Sequence, residues 1–140
     1  MPNAILADAP DILASDWLNI SRPITLDQLR GQIVVLHAFQ MLCPGCVSHG
    51  IPQAELLHKY YAEKPVQVIG LHSVFEHHEA MKKIALEAFI YEYRLTFPVA
   101  IDQASKDSPI PVTMQRYGLK GTPSLVIIDQ QGKIRLNHFG

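Results

Sequence analysis

The apolar residues of this chain fall into short runs separated by polar breaks rich in glycine and proline. "IVVLHAF" (33–39) is β-branched and almost continuously apolar, the pattern of a strand buried on both faces of a helix-covered sheet. "VQVIGL" (66–71) predicts a second strand, and "AELLHKYYAE" (54–63) predicts a helix between the two. Ahead of them, residues 1–14 read as a loose lead-in and "DWLNI" (16–20) as a short strand before a turn at Arg22-Pro23. "ITLDQLRGQ" (24–32) reads as a helical turn closed by Gly31. "SVFE" fits a capping box, with Ser73 as N-cap and Glu76 three residues on. It predicts a helix over 76–93, with Met81, Ile84, Ala88 and Tyr91 at helical spacing and Glu79–Lys83 as an i,i+4 pair. "FPVAID" (97–102) predicts a short extended piece and residues 110–117 a brief helix. "SLVIID" (124–129), "QQG" and "KIRLNHF" (133–139) predict a β-hairpin. The order is that of an α/β domain: parallel strands first, then an antiparallel pair closing a mixed central sheet.

A length of 140 residues fits a single domain, and 48% hydrophobic content is enough for a core. The net charge is −1 with 18% charged residues, so nothing electrostatic points to nucleic acid or an anionic membrane as a partner. No apolar run approaches a membrane span. The N-terminal stretch lacks the basic start and unbroken apolar run of a signal peptide. The expected location is cytoplasmic, or periplasmic or otherwise extracytoplasmic if a leader has been removed. Two cysteines are too few for a disulfide-stapled scaffold.

Both cysteines lie in "FQMLCPGC" (39–46), between a buried strand and a helix. Cys43 is expected at or near a helix N-terminus, where unpaired N–H groups and the helix dipole favour negative charge. Pro44 suits the first helical position, where its missing N–H costs nothing. Cys46 follows one turn on, a separation compatible with a disulfide. Gly45 adds no side chain and leaves room for another polypeptide. On this reading Cys43 is the attacking nucleophile and Cys46 the more buried, resolving thiol.

Other readings of the pair stay open. Structural zinc needs about four ligands, and only two cysteines exist; His77 and His78 are adjacent rather than spaced as a ligand pair, so no metal is expected. A thiol peroxidase would carry P-x-x-x-[TS]-x-x-C. Gln40 and Leu36 precede Cys43 at the relevant spacings, and Cys43 and Phe39 precede Cys46. A non-catalytic binding module would need a pair that does not cycle. Trp17, Phe39, Tyr60 and Tyr61 read as core or rim residues, and His49, His72, His77 and His78 as surface, capping or helix residues. Nothing calls for a cofactor.

The order of "ITLDQLRGQIVVLHAF", "CPGC", "FPVAID" and "YGLKGTPSLVIIDQQGKI" resembles the thioredoxin superfamily, within it the TlpA/ResA-like and redoxin branch of thiol–disulfide oxidoreductases. The resemblance implies a thioredoxin-like fold with an inserted helix between the second strand and the hairpin. It also implies a cis Thr122–Pro123 peptide packed against Cys43–Cys46, with Leu42, Pro44, Gly45, Thr122 and Pro123 as substrate-binding residues. A disulfide-bearing protein substrate and an external thiol electron donor are the implied partners. His37 stands where relatives carry an acid or an asparagine under the site; it reads either as a proton relay for Cys46 or as a hydrogen-bonded core histidine. Leu42 stands where an aromatic is common. Pro52 falls one residue later than the family pattern, close after Gly50, and predicts a kink or bulge. The family's terminal helix has no counterpart before Gly140. Either the chain is truncated or part of the sheet is exposed, which would favour self-association.

Overall fold

The computed structural model describes residues 7–140. Six strands form one mixed sheet: β1 (Ala14–Leu18), β2 (Ile33–Phe39), β3 (Val66–His72), β4 (Val99–Asp102), β5 (Ser124–Ile128) and β6 (Ile134–Phe139), in the order β1-β4-β3-β2-β5-β6. β2, β3 and β4 run parallel, while β5, β6 and β1 are antiparallel to their neighbours. The helices are α1 (Ile51–Tyr60), α2 (Lys83–Tyr93) and α3 (Val112–Arg116). Among the described residues, no helix is long and apolar enough to cross a membrane.

The unbroken apolar run of β2 has a simple cause. Val34, Leu36 and Ala38 enter the core on one face, with Met114 and Tyr117. Val35 and Phe39 enter the other, with Ile51 and Ala54 of α1 and Leu86 and Ile90 of α2. Because side chains alternate along a strand, His37 shares the second face. It therefore points toward the α1 side, the side that carries Cys46.

The ends of several elements differ from the sequence pattern. The first strand starts at Ala14, inside the expected lead-in, and Asp8 bridges to Lys133; residues 1–6 of that lead-in lie outside the described residues. The turn before β2 is a short 3-10 helix, Asp27–Leu29, and Gly31 adopts φ +91°, a backbone conformation that suits glycine.

The helix expected over 76–93 is two pieces, a 3-10 turn at His78–Ala80 and then α2 from Lys83. Ser73 is not an N-cap. It is buried, and its Oγ donates to Asp102 Oδ2 at 2.8 Å. Met81, the anchor of the expected helical face, is buried ahead of the helix, so counting from it misplaces the stripe. Ile84 and Tyr91 are 78% and 79% exposed, and Leu86 and Ile90 face the core instead. The charge pairing shifts by one residue as well: Glu79 meets Lys82 at 2.9 Å, and Lys83 reaches across to Asp16. Tyr60, at the end of α1, is 76% exposed and stacks T-shaped with Tyr61.

Candidate active site

The chain leaves β2 through Gln40, Met41 and Leu42 and enters a helix at Pro44. Cys43 is the residue just before that helix. Its carbonyl accepts the first helical bond from Val47 N–H at 3.1 Å. Its Sγ accepts the N–H of Cys46 at 3.2 Å, the side-chain-to-third-residue bond of an N-cap. The thiol also approaches the Thr122 carbonyl, at 3.5 Å. Cys43 is half-buried, while Cys46 is fully buried. The exposed–buried asymmetry read from the sequence is thus present, and Thr122–Pro123 is a cis peptide beside the pair.

Between Pro44-Gly45 and α1, the helix opens into a π turn over Cys46–Gly50. Ile51 N–H bonds back five residues, to Cys46 O, and Pro52 follows at the start of α1. The extra residue before Pro52 is absorbed as this bulge, which answers the expected kink. The bulge brings the backbone of Gly50 against His37. A Cβ on Gly50 would stand 2.5 Å from His37 Nε2 and 3.1 Å from Pro123 Cβ. A Cβ on Gly45 would meet Pro123 Cδ at 3.5 Å, an ordinary contact. Steric demand therefore falls on Gly50, a position the motif does not mark.

His37, Gly45, Gly50, Pro123, Leu125 and His138 share the wall of a cavity of about 710 Å³. On the outer side of the motif, Leu42 is 58% exposed. His37 itself is buried, and its Nδ1 has no hydrogen-bond partner. Burial pulls its pKa down to about 4, so the ring is neutral near pH 7. Burial pushes the Cys46 thiol the other way, up to about 12, and hydrogen bonding with Cys43 adds to the rise.

Two residues read otherwise from the sequence support the active-site loop: Gln40, noted there only as a mismatch to the peroxidase pattern, and His72, expected as a surface or capping residue but buried in the last position of a central strand. Gln40 is buried, donates from Nε2 to Thr122 Oγ1 at 3.3 Å and accepts Phe75 N–H on Oε1 at 3.2 Å. His72, buried at the end of β3, accepts Met41 N–H on Nε2 at 3.4 Å, and burial holds its pKa down at about 4. The available signal was positional, since both stand at the C-terminal ends of parallel strands, where α/β folds gather their sites. His77 and His78 do not join the cysteines: His77 takes a left-handed backbone conformation, and His78 contacts Pro109 O at 3.0 Å. Among the described residues, no cluster of three or more metal-ligating side chains forms.

The profile of the AhpC/TSA family matches residues 5–137. Among solved structures, a thioredoxin-like superfamily protein superposes with a TM-score of 0.92 at 51% identity, covering 95% of this chain and 86% of that one. A thiol-disulfide isomerase from Corynebacterium glutamicum superposes with a TM-score of 0.88 at 48% identity, covering 94% and 86%. Thiol-disulfide oxidoreductase ResA of Bacillus thuringiensis is 30% identical over 127 residues. That match takes in 91% of this chain, which spans 65% of the length of this curated relative.

Proposed function

Because the chain belongs to the AhpC/TSA family, on its thioredoxin-like, ResA-like side, we propose that it is a thiol–disulfide oxidoreductase acting on protein disulfides. The observation that carries the reading is the Cys43–Cys46 arrangement. A half-exposed sulfur caps a helix, one turn from a buried sulfur and beside Thr122–Pro123.

In the reducing direction, the Cys43 thiolate attacks one sulfur of a substrate disulfide and expels the other as a thiolate. The N–H of Cys46, already directed at Cys43 Sγ, stabilises charge on the attacking atom. Cys46 then attacks Cys43 in the mixed disulfide. The substrate's second sulfur leaves with the proton that Cys46 gave up, and the Cys43–Cys46 disulfide remains. An external thiol donor returns the two electrons. The same steps run backwards when the partner's potential is the lower one. Leu42, Pro44, Gly45, Thr122 and Pro123 form the rim on which substrate would lie.

Energetics decide what His37 does in this scheme. Burial makes the imidazole a poor proton acceptor and the Cys46 thiol a poor proton donor, so transfer from one to the other runs strongly uphill. We therefore assign His37 to the wall that fixes Gly50 and Pro123 rather than to a proton relay. Peroxide reduction finds no support in the site, where Gln40 bonds to Thr122 and Phe75 at the place a peroxidatic Thr or Ser would take.

The test is a trap. Cys46→Ser, incubated with a disulfide-bearing protein, accumulates a mixed disulfide through Cys43, and Cys43→Ser forms none. Equal trapping by both variants, or by neither, contradicts the assignment.

A further inference from the structure

The antiparallel pairing of β2 with β5 runs from Val34↔Ile128 to Ala38↔Ser124 and stops there. Pro123 precedes Ser124 and has no N–H with which to extend the ladder. Continued in the same register, two positions further, Gln40 stands opposite Thr122. A side chain joins that pair where the backbone does not: Gln40 Nε2 donates to Thr122 Oγ1 at 3.3 Å. Past the end of the ladder the two halves of the site have separate anchors. Thr122–Pro123 is tied to the β5–β6 side, through Ser124 Oγ to Gly121 O at 2.7 Å and Gly140 N–H to Pro123 O at 3.0 Å. Cys43 belongs to the segment that leaves β2 and enters the helix.

Gln40 bonds to both halves. Its carbonyl accepts Cys43 N–H at 3.2 Å, and its side chain holds Thr122. The Cys43 thiol in turn lies 3.5 Å from Thr122 O. The contacts close a ring, from Cys43 to Gln40, from Gln40 to Thr122, and from Thr122 back to Cys43. The thiol contact in that ring needs the Cys43 proton and is lost when the sulfur ionises or forms a bond; the two Gln40 bonds do not depend on it. The amide is also fixed in rotation. Gln40 is buried, and a backbone N–H can only donate, so the atom facing Phe75 N–H at 3.2 Å is Oε1 and the end facing Thr122 is the NH2 group. The loop carrying Phe75 is pinned as well: Ser73 N–H bonds Phe39 O at 3.1 Å, and Ser73 Oγ bonds the buried Asp102.

We propose that Gln40 is a positioning residue for protein substrates: its amide holds the Thr122–Pro123 rim at a fixed distance from the Cys43 sulfur, so that a disulfide docked on the rim meets that sulfur in line. The inference rests on the exchange chemistry proposed for Cys43–Cys46. In the attack, the Cys43 thiolate forms a bond to the near sulfur of the substrate, the substrate S–S bond breaks, and the electron pair leaves on the far sulfur. The attacking sulfur must lie along the axis of the bond it breaks, and a small misplacement of one partner slows such a step severely. A protein disulfide takes its position from the rim, so its alignment depends on the rim-to-sulfur distance. A small alkylating reagent takes its position from the sulfur alone.

The experiment compares two rates of the reduced full chain: reduction of insulin disulfides in a single turnover, followed by loss of the protein's own thiols, and alkylation of Cys43 by iodoacetamide. Both use the Cys43 thiolate, and only the first uses the rim. Gln40→Met is expected to slow insulin reduction at least about five-fold, the weight of one neutral hydrogen bond, while alkylation stays close to the wild-type rate. In a Thr122→Val background Gln40→Met should add almost nothing, because the hydroxyl it holds is gone. A fall of both rates by the same factor, no fall in either, or an undiminished effect of Gln40→Met in the Thr122→Val background overturns the proposal. Should Gln40→Met fail to fold, Thr122→Val is compared with Thr122→Ser, which keeps the oxygen that Gln40 bonds. A ratio of insulin reduction to alkylation about five-fold lower for Thr122→Val than for Thr122→Ser supports the proposal, and equal ratios overturn it. A wild-type protein that alkylates at Cys43 but reduces no insulin disulfide is a different result, which overturns the exchange reading itself and this inference with it.

Discussion

Gly50→Ala puts the packing of the site to a stringent test, because two physical terms oppose each other there. In a helix, alanine is favoured over glycine by about 1 kcal/mol, so propensity alone predicts a more stable protein. The structure predicts the reverse. The new methyl would stand 2.5 Å from Nε2 and 2.6 Å from Cε1 of His37, a buried ring, and 3.1 Å from Pro123 Cβ. Relieving such contacts in a packed interior costs about 1–3 kcal/mol, and here either His37 or the π turn must give way. With the propensity gain set against it, the expected net loss is up to about 2 kcal/mol. Urea denaturation of the reduced protein measures it. Insulin reduction should fall as well, since Pro123 and the helix carrying Cys46 are displaced together. A double-mutant cycle with His37→Ala identifies the cause: with the ring removed, Gly50→Ala should lose most of its penalty, a coupling of about 0.5–3 kcal/mol. A Gly50→Ala protein as stable as wild type and fully active would mean that His37 does not crowd this position, as would strict additivity with His37→Ala.

Acid stability follows from the two buried histidines. Each is neutral when folded and titrates near 4, against 6.5 for an ordinary histidine, so the unfolded chain binds protons first as pH falls. Stability is therefore retained above about pH 6.5 and lost progressively toward pH 4, by about 2–3 kcal/mol per histidine, a window above most carboxylate titration. Urea midpoints measured across that range check it, and a flat profile contradicts it. Protonation of His72 also removes the acceptor for Met41 N–H, so the protection of the Met41 amide, its exchange rate relative to that of the free chain at the same pH, should fall toward pH 4. His37→Gln should keep the wild-type pH–rate profile for disulfide exchange; a lost limb would restore His37 as a proton relay.

Much of this was legible in the chain because it depends on local order. The run at 33–39 declares a doubly buried strand, and "CPGC" after it places one thiol at a helix start and the other inside. The late Pro52 signalled the π turn. What stayed hidden depends on partners far apart in sequence. Ser73 looks like a cap for the next helix, yet its hydroxyl is taken by Asp102, 29 residues on, so the helix starts later and its apolar face rotates. Gln40 looks like a failed peroxidase residue until Thr122 and Phe75 stand beside it. Gly50 is an unremarked helix glycine until His37 arrives from β2.

On the proposed function, Cys43 and Cys46 cycle between a dithiol and a disulfide in exchange with other thiols. Titrating the protein across glutathione redox buffers, with both cysteines trapped by alkylation and weighed, tests it most directly. The expected result is a single reversible two-electron transition in which both thiols are lost together, and protein that reduces insulin disulfides when held on its reducing side. Independent oxidation of the two cysteines, or a pair that stays reduced across the whole range, would contradict it.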